Sequence, residues 1–423
     1  MNRDVRITQV RITPVAFRDG PLLNAAGIHE PWALRAILEL ETSDGRVGIN
    51  ETYGDAPMLA LLEECKAHVL GLSPFALNRM EERLRASIRR EKAPAYTLAP
   101  GSDPSRNAAK AISAFEVAML DLQGQIVGAP IADLLGGAVR SSVAYSAYLF
   151  FKYAEHHGKP YEPDAWGEGI SPEQIVAQAK RMISLYGFQS IKLKGGVFEP
   201  QHEIACMQAL HRAFPGMPLR LDPNANWSLQ TSIAAAPELD EVLEYYEDPC
   251  PGLDGMAELA RHTRLPLATN MVVTSMEEFR QNVQTKSVKV VLSDHHYWGG
   301  LRATQQLARM CALWDLGLSM HSNSHLGISL MAMTHVAAAV PNLSYACDTH
   351  YPWQDEDILV GGRITFHEGA LRVPTTPGLG VQIDRNALAK LHDQYLTCGI
   401  RNRNDRAQMQ KYDPSFTGVC PRF

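Results

Sequence analysis

The 423-residue chain has little of what assigns a protein quickly. Its seven cysteines (Cys65, Cys206, Cys250, Cys311, Cys347, Cys398, Cys420) are odd in number and scattered, with no C-x-x-C pair and no zinc-finger spacing. That excludes a disulfide framework and predicts reduced thiols in a cytoplasmic protein. No basic run exceeds a pair such as Arg89-Arg90, and 40 Lys+Arg against 46 Asp+Glu leave a formal charge of −6, so nucleic-acid binding has no electrostatic footprint. No stretch approaches the about 18 consecutive apolar residues of a membrane helix, and Met1-Asn2-Arg3-Asp4-Val5-Arg6 lacks the apolar core of a secretory signal. The expectation is a soluble protein without a membrane partner. Internal repeats and low-complexity segments are also missing, which argues against a solenoid.

What is present is a globular composition, 45% hydrophobic and 20% charged, enough for roughly two or three domains at about 150 residues each. Residues 5–55 are rich in β-branched and polar types, and Asp44-Gly45 between Ile37-Leu38-Glu39-Leu40 and Val47-Gly48-Ile49 signals a hairpin. Residues 57–92 and 108–126 show apolar spacing of three and four (Ile112, Phe115, Met119, Leu122, with charged Glu116 and Asp121 between), which predicts helices. Pro94, Pro100 and Pro104, with Gly101 and Ser102, predict an irregular loop between them. From about residue 141 short β-rich runs alternate with helical patterns, the texture of a parallel sheet. The runs 142–150, 190–195, 218–223, 244–248, 266–271, 288–294, 316–321 and 343–349 number eight, which fits a (β/α)₈ barrel.

At the ends of these runs stand Lys194, Asp222, Glu247, Asn270, Asp294, His321 and His350, separated by 23 to 29 residues each. A near-constant gap is one βα unit, so these side chains should recur at one height around a ring, at the C-terminal mouth where barrel active sites lie. Singly, each has an ordinary reading. Asp222 before Pro223 and Asn270 after Thr269 are more often turn or cap formers. Lys192 and Lys194 alternate and so point the same way, but lysines at a sheet edge would do the same. His321 and His325 are four apart without an H-E-x-x-H helix, so zinc is not expected. His156-His157 and His295-His296 read as solvated loop or cap histidines, and Asp248 as a structural residue on the opposite face from Glu247. The shared spacing favours function over seven coincidences.

The strings Lys192-Leu193-Lys194, Asp222-Pro223-Asn224-Ala225-Asn226-Trp227, Glu247-Asp248-Pro249, Thr269-Asn270-Met271, Ser293-Asp294-His295-His296 and His321-Ser322-Asn323 resemble, in order and spacing, those of the enolase superfamily. Within it the chain most resembles the glucarate dehydratase group of acid-sugar dehydratases, over nearly its whole length. It differs from that group around Gly101-Ser102 and at Ser324-His325-Leu326-Gly327. The resemblance implies a capping α+β domain (1–140), a (β/α)₈ TIM-like barrel (141–385) and a C-terminal segment (386–423) that returns to the cap. It implies one Mg²⁺ on Asp222, Glu247 and Asn270, a hard cation that takes oxygen ligands. With only two carboxylates that site suits a substrate bearing two carboxylates of its own.

The implied chemistry is abstraction of the proton beside a carboxylate, which is weakly acidic and needs the resulting charge stabilised; a Lys or His base with Mg²⁺ is the general pattern of the superfamily. Lys194 would be the base on one face. Lys192 beside it would favour the neutral form of Lys194 by like-charge repulsion and donate to the developing oxyanion. On the other face His321, oriented by Asp294, would abstract the proton and then, as imidazolium, protonate the departing hydroxyl. Asn224 and Asn323 would donate hydrogen bonds to the developing charge. His29, Tyr148, Phe150, His350 and Arg403 would line the substrate pocket, with the Arg403 fork on a distal carboxylate. The expected reaction is loss of water from an aldarate such as D-glucarate or L-idarate to a keto-deoxy acid. Epimerisation of a hydroxy acid and a non-catalytic acid-sugar binder are the alternatives, and a symmetric homo-oligomer is the expected assembly.

Overall fold

The computed structural model describes residues 5–89, 91 and 100–423. The strands Ile7–Arg18, Trp32–Thr42 and Val47–Tyr53 pair antiparallel in that order. The expected hairpin joins the last two. Thr42 donates its amide to Arg46 O at 2.9 Å and its hydroxyl to Asp44 at 2.6 Å, and Gly45 takes φ +84°, which a side chain would resist. The helices Ala56–Val69, Asn107–Val127 and Arg385–Thr397 pack on this sheet, which explains why nearly every residue of the second strand is buried.

The periodic stretch 57–92 is two helices, Ala56–Val69 and Leu77–Ser87. Between them Gly71 turns to φ +77°, and its amide donates to Ile7 O while Leu72 O accepts from Ile7, so the first strand takes the bonds a continuous helix would need. Residues 90 and 92–99, including Pro94, lie outside the described residues. The rest of the expected loop forms two single 3₁₀ turns, Pro100–Ser102 and Pro104–Arg106. Asn107–Val127 is buried all round between cap and barrel, and its charged residues clamp backbone rather than face water. Glu116 accepts from Leu301 N at 2.7 Å, and Asp121 from Ile49 N at 2.9 Å and Leu379 N at 2.8 Å.

Seven strands form one curled parallel sheet: Ala147–Phe150, Ile191–Lys194, Leu219–Asp222, Tyr245–Glu247, Leu267–Thr269, Val290–Ser293 and Gly317–Met320, each hydrogen-bonded to the next. The expected first run, 142–150, splits. Ser142–Ala144 pairs antiparallel with Ala370–Arg372, and only the rest enters the barrel. The eighth run, 343–349, is no ladder strand, because its amides are divided between neighbours. Ser344 and Asp348 donate to Leu318 and Met320 of the seventh strand, whereas Cys347 donates to Ala144, and Ser146 donates back to Cys347 O. It thereby joins the last strand to the chain just ahead of the first.

Local signals place the outer helices. A capping box of Ser171 and Gln174 starts Pro172–Tyr186, and Ser228 and Ser275 cap Leu229–Leu239 and Met276–Thr285. The C-terminal segment begins on the cap, where Gln394 donates to Ala16 O at 2.9 Å. It does not stay there. Arg422 donates its amide to Asn226 Oδ1 (2.9 Å) and its guanidinium to Gly196 O (3.0 Å), on the barrel loops after the second and third strands.

Candidate active site

Register explains how distant residues meet. Lys194 is level with Phe150 on the first strand and Asp222 on the third, and Lys192, two residues earlier, points to the same interior one layer down. Lys194 Nζ donates to Asp222 Oδ2 at 2.7 Å and to Asn224 Oδ1. Asn224 holds left-handed φ +53° while its own amide donates to Asp222 Oδ1 at 3.0 Å, a tight turn that keeps its side chain over the strand end.

Lys192 is fully buried and lies 2.6 Å from Glu247 Oε2, 2.8 Å from Asp348 Oδ2 and 3.4 Å from Asp222 Oδ2, with its ammonium 4.7 Å from the centre of the Tyr148 ring. Burial alone would neutralise it, but the carboxylates, Asp348 foremost, hold its pKa well above the ordinary lysine value. This differs from the expected role. Three carboxylates engage this ammonium, which offsets its repulsion of Lys194 and leaves it no bond directed at a substrate oxyanion. Asp348, which sequence reasoning passed over, is the reason; its position two residues before His350 was the available signal.

Asp222, Glu247, Asp248 and Asp348 crowd around two lysines. Burial raises the Asp222 carboxyl but Lys194 and Lys192 outweigh it and leave it below the usual range. Burial with Asp222, Asp348 and Asp248 nearby pushes Glu247 well above. Asp248 accepts from Thr269 Oγ1 and from Asn270 N at 2.9 Å and so fixes the backbone of Asn270.

The Asn270 amide has two orientations. In one, Nδ2 donates to Glu247 Oε1 and Asp248 Oδ2, both at 3.2 Å, and Oδ1 lies 3.3 Å from His321 Nε2, which bonds it only as an imidazolium. A half-turn places the amide oxygen among carboxylate oxygens, an arrangement that repels unless a cation lies among them. Asp222, Glu247 and Asn270 offer only hard oxygen donors in a pocket with surplus negative charge, and this donor set fits Mg²⁺.

Across the ring, His321 Nδ1 is 3.0 Å from Asp294 Oδ2. Burial raises the Asp294 carboxyl, but His296 and His321 overcome it and hold it well below the usual range. A carboxylate only accepts, so His321 carries a proton on Nδ1. With the Asn270 oxygen turned toward a cation, the Asn270 Nδ2 faces His321 Nε2, which then accepts and is bare. Asn323 Nδ2 donates to Asp294 Oδ2 (3.1 Å) and Tyr53 Oη (3.3 Å), and its Oδ1 accepts from Arg35 at 3.3 Å. Its amide therefore supports the dyad, where a donor to developing charge on substrate was expected. His295 and His296, expected in solvent, are buried, as is His156, which bonds Asp19 O at 2.7 Å. His325 bonds Ser322 and Leu326 O and forms no pair with His321.

A cavity of about 520 Å³ opens over these groups, lined by Lys194, Asn224, Asn270 and His321 from the barrel and by Arg35, Tyr53 and Lys110 from the cap. His29, Tyr148, Phe150 and His350 form one aromatic wall, with Tyr148–Phe150 and Phe150–His350 ring centres both 4.7 Å apart. His29 Nδ1 is 3.0 Å from Asp19 Oδ2. His350 Nδ1 is buried with no hydrogen-bond partner among the described residues, and burial with His29 alongside holds its imidazole neutral, far below the ordinary value. Arg403 lines the cavity, but its fork is taken. Nε and Nη2 donate to Asp405 at 2.7 and 2.8 Å, and Nη1 lies 3.9 Å from Asp19. A free two-pronged site for a distal carboxylate, as expected, is therefore not what Arg403 presents. Arg35, Tyr53, Asp19 and Lys110 were missed because nothing in their local sequence marks them.

Residues 7–136 match the model of the mandelate racemase / muconate lactonizing enzyme N-terminal domain, and residues 174–387 that of the enolase C-terminal domain-like family. The chain belongs to the enolase superfamily. Among the relatives of this superfamily member, a Streptomyces coelicolor protein described as a probable glucarate dehydratase is 49% identical over 100% of both chains. A D-xylonate dehydratase of Haloferax volcanii is 26% identical, covering 91% of this chain and 89% of its own. A solved enolase of Pseudomonas fluorescens Pf0-1, crystallised with magnesium, potassium and tartrate, is 58% identical with a TM-score of 0.97, over 99% of this chain and 100% of that one. With such relatives, this superfamily member is an enzyme of the hydro-lyase class.

Proposed function

We propose that the protein is a Mg²⁺-dependent dehydratase of an aldarate, D-glucarate or L-idarate, forming a keto-deoxy acid. The observation that carries this reading is that Lys194, at the end of the second strand, and His321, just after the seventh and backed by Asp294 just after the sixth, line one cavity with Asn270, beside the oxygen donors Asp222 and Glu247. The likeness to a probable glucarate dehydratase and to a structure holding magnesium and tartrate, itself a hydroxy dicarboxylate, supports it.

Asp222, Glu247 and Asn270 would hold Mg²⁺, which when bound would supply Lewis-acid stabilisation of the negative charge that builds on a substrate carboxylate as its neighbouring carbon loses a proton. The chain's own groups do the rest. Lys194 Nζ, as the neutral amine, takes the proton from one face, or His321 Nε2 from the other, and the C–H electron pair expels the hydroxyl on the adjacent carbon. His321 donates to that leaving oxygen the proton it has just taken or, when Lys194 is the base, one that its Nε2 has picked up from solvent before the turnover, so water departs and the enol left behind becomes the keto acid. Asn224 sits beside Lys194 for the developing charge, and the wall of His29, Tyr148, Phe150 and His350 excludes water from the carbon chain.

The test is incubation with Mg²⁺ and a panel of aldarates and aldonates, following keto-acid formation by carbonyl trapping. Keto acid from D-glucarate or L-idarate, lost on chelation and in His321→Ala, is the expected result. Solvent deuterium entering beside the carboxylate without keto acid would replace this reading with epimerisation, the outcome that bases on two sides also permit.

A further inference from the structure

The fully buried Arg35 of the cap strand reaches into the barrel. Its Nε donates to Glu51 Oε1 at 2.8 Å and its Nη2 to His296 Nε2 at 2.9 Å. A guanidinium can only donate, so His296 Nε2 is an acceptor and the ring proton stands on Nδ1. That nitrogen lies 2.7 Å from Asp294 Oδ1 and donates to it. Asp294 is thus held at one oxygen by His296, while the other faces His321 and Asn323. Asp294, His295 and His296 also bring one ligand atom each within 4.8 Å of one another, a spacing a metal could use. The guanidinium on His296 opposes any such cation, and both nitrogens of that ring are already bonded.

We propose that Arg35 and His296 are positioning residues for the proton-transfer dyad: Arg35 fixes the tautomer of His296, and His296 pins the Asp294 carboxylate so that His321 keeps its proton on Nδ1 and points a bare Nε2 at the substrate. The cap thereby orients one of the two bases and leaves Lys194, which bonds neither residue, alone. This inference rests on the proposed two-base reaction. It adds what no local feature of the barrel supplies, a part of the base's geometry set by the other domain. Glu51 completes the brace. It holds Arg35 while its two oxygens accept from Leu326 N (2.8 Å) and Ser329 N (3.0 Å) at the start of the helix Gly327–Ala339.

The experiment compares wild type, His296→Ala and His296→Asn with Mg²⁺ in deuterated water. D-glucarate and L-idarate are the probes, since they differ in configuration at a single carbon beside a carboxylate and present its proton to opposite faces. In His296→Ala, α-proton exchange of one epimer should fall by roughly 10²-fold, the size of a general-base contribution. Exchange of the other epimer, which needs only Lys194, should stay within about a factor of two. His296→Asn, whose Nδ2 can replace the Nδ1 donor, should recover most of the loss. Equal loss for both epimers, or no loss, overturns the inference, because damage to the fold would spare neither face.

Histidine-selective ¹⁵N NMR gives a second readout, independent of turnover. His321 should be wholly the Nδ1–H tautomer in wild type and His296→Asn but mixed in His296→Ala; an unchanged tautomer in His296→Ala also overturns the proposal. A wild type inert on both epimers would instead sink the proposed reaction, and the tautomer result would then decide this inference by itself.

Discussion

Asp294 accepts from His296 Nδ1, the His296 amide, His321 Nδ1 and Asn323 Nδ2, a convergence of donors that only an ionised carboxylate satisfies. Asp294→Asn would turn an amide N–H toward some of them and free His321 to rotate or change tautomer. The expected outcome is a kcat lower by roughly 10²–10⁴-fold with KM little changed, measured by steady-state keto-acid release. The dyad was legible in the sequence because Asp294 and His321 end successive barrel strands. Lys192 and Lys194 were equally legible as a pair facing one way. Their separate fates were not, because Asp348, which helps to hold Lys192, lies 156 residues away on the segment that closes the ring. Arg403 shows the converse limit. Asp405 stands two residues on, yet spacing alone says nothing about whether a guanidinium turns to its neighbour or into the cavity.

At the level of the element, Asn107–Val127 has apolar spacing that marked it as a helix, but not that it is buried on every side. Glu116 is the consequence. Burial outweighs its bonds to Leu301 and Arg302 and pushes its carboxyl up to about 7 from 4.5. A folded pKa above the unfolded one means that this group's stabilising contribution is complete below about pH 4.5 and is lost as pH rises through 7. Glu116→Gln removes that dependence while keeping an oxygen for the Leu301 amide. Thermal unfolding from pH 5 to pH 8 should show the variant gaining on wild type as pH rises, by an amount on the order of 3 kcal/mol at the top of the range. The segment 343–349 makes the same point about β structure. Its composition reads as a strand, but a strand needs consecutive bonds to one neighbour, and its amides go to two.

For the whole molecule, the surplus of buried carboxylate at the barrel mouth predicts that cation binding adds stability, since a ligand of the folded state alone shifts unfolding by mass action. Mg²⁺ at about 100 times its Kd should contribute about 2.7 kcal/mol and raise Tm in calorimetry. Glu247→Gln should abolish that response, and an unchanged wild-type Tm across the Mg²⁺ titration would count against the donor set Asp222, Glu247 and Asn270.

The chain order alone carried the barrel's period, the ring of polar residues at strand ends and the separate cap, because strand alternation, helix spacing and the length of a βα unit are local properties. Tertiary structure alone decided that Arg35 meets His296 across 261 residues, that Glu51 ties the cap to the helix Gly327–Ala339, and that the chain's last residues brace the barrel loops. Those contacts join surfaces of different units. A buried guanidinium or carboxylate takes whatever partner the packing brings within about 3 Å, and no local pattern encodes that choice.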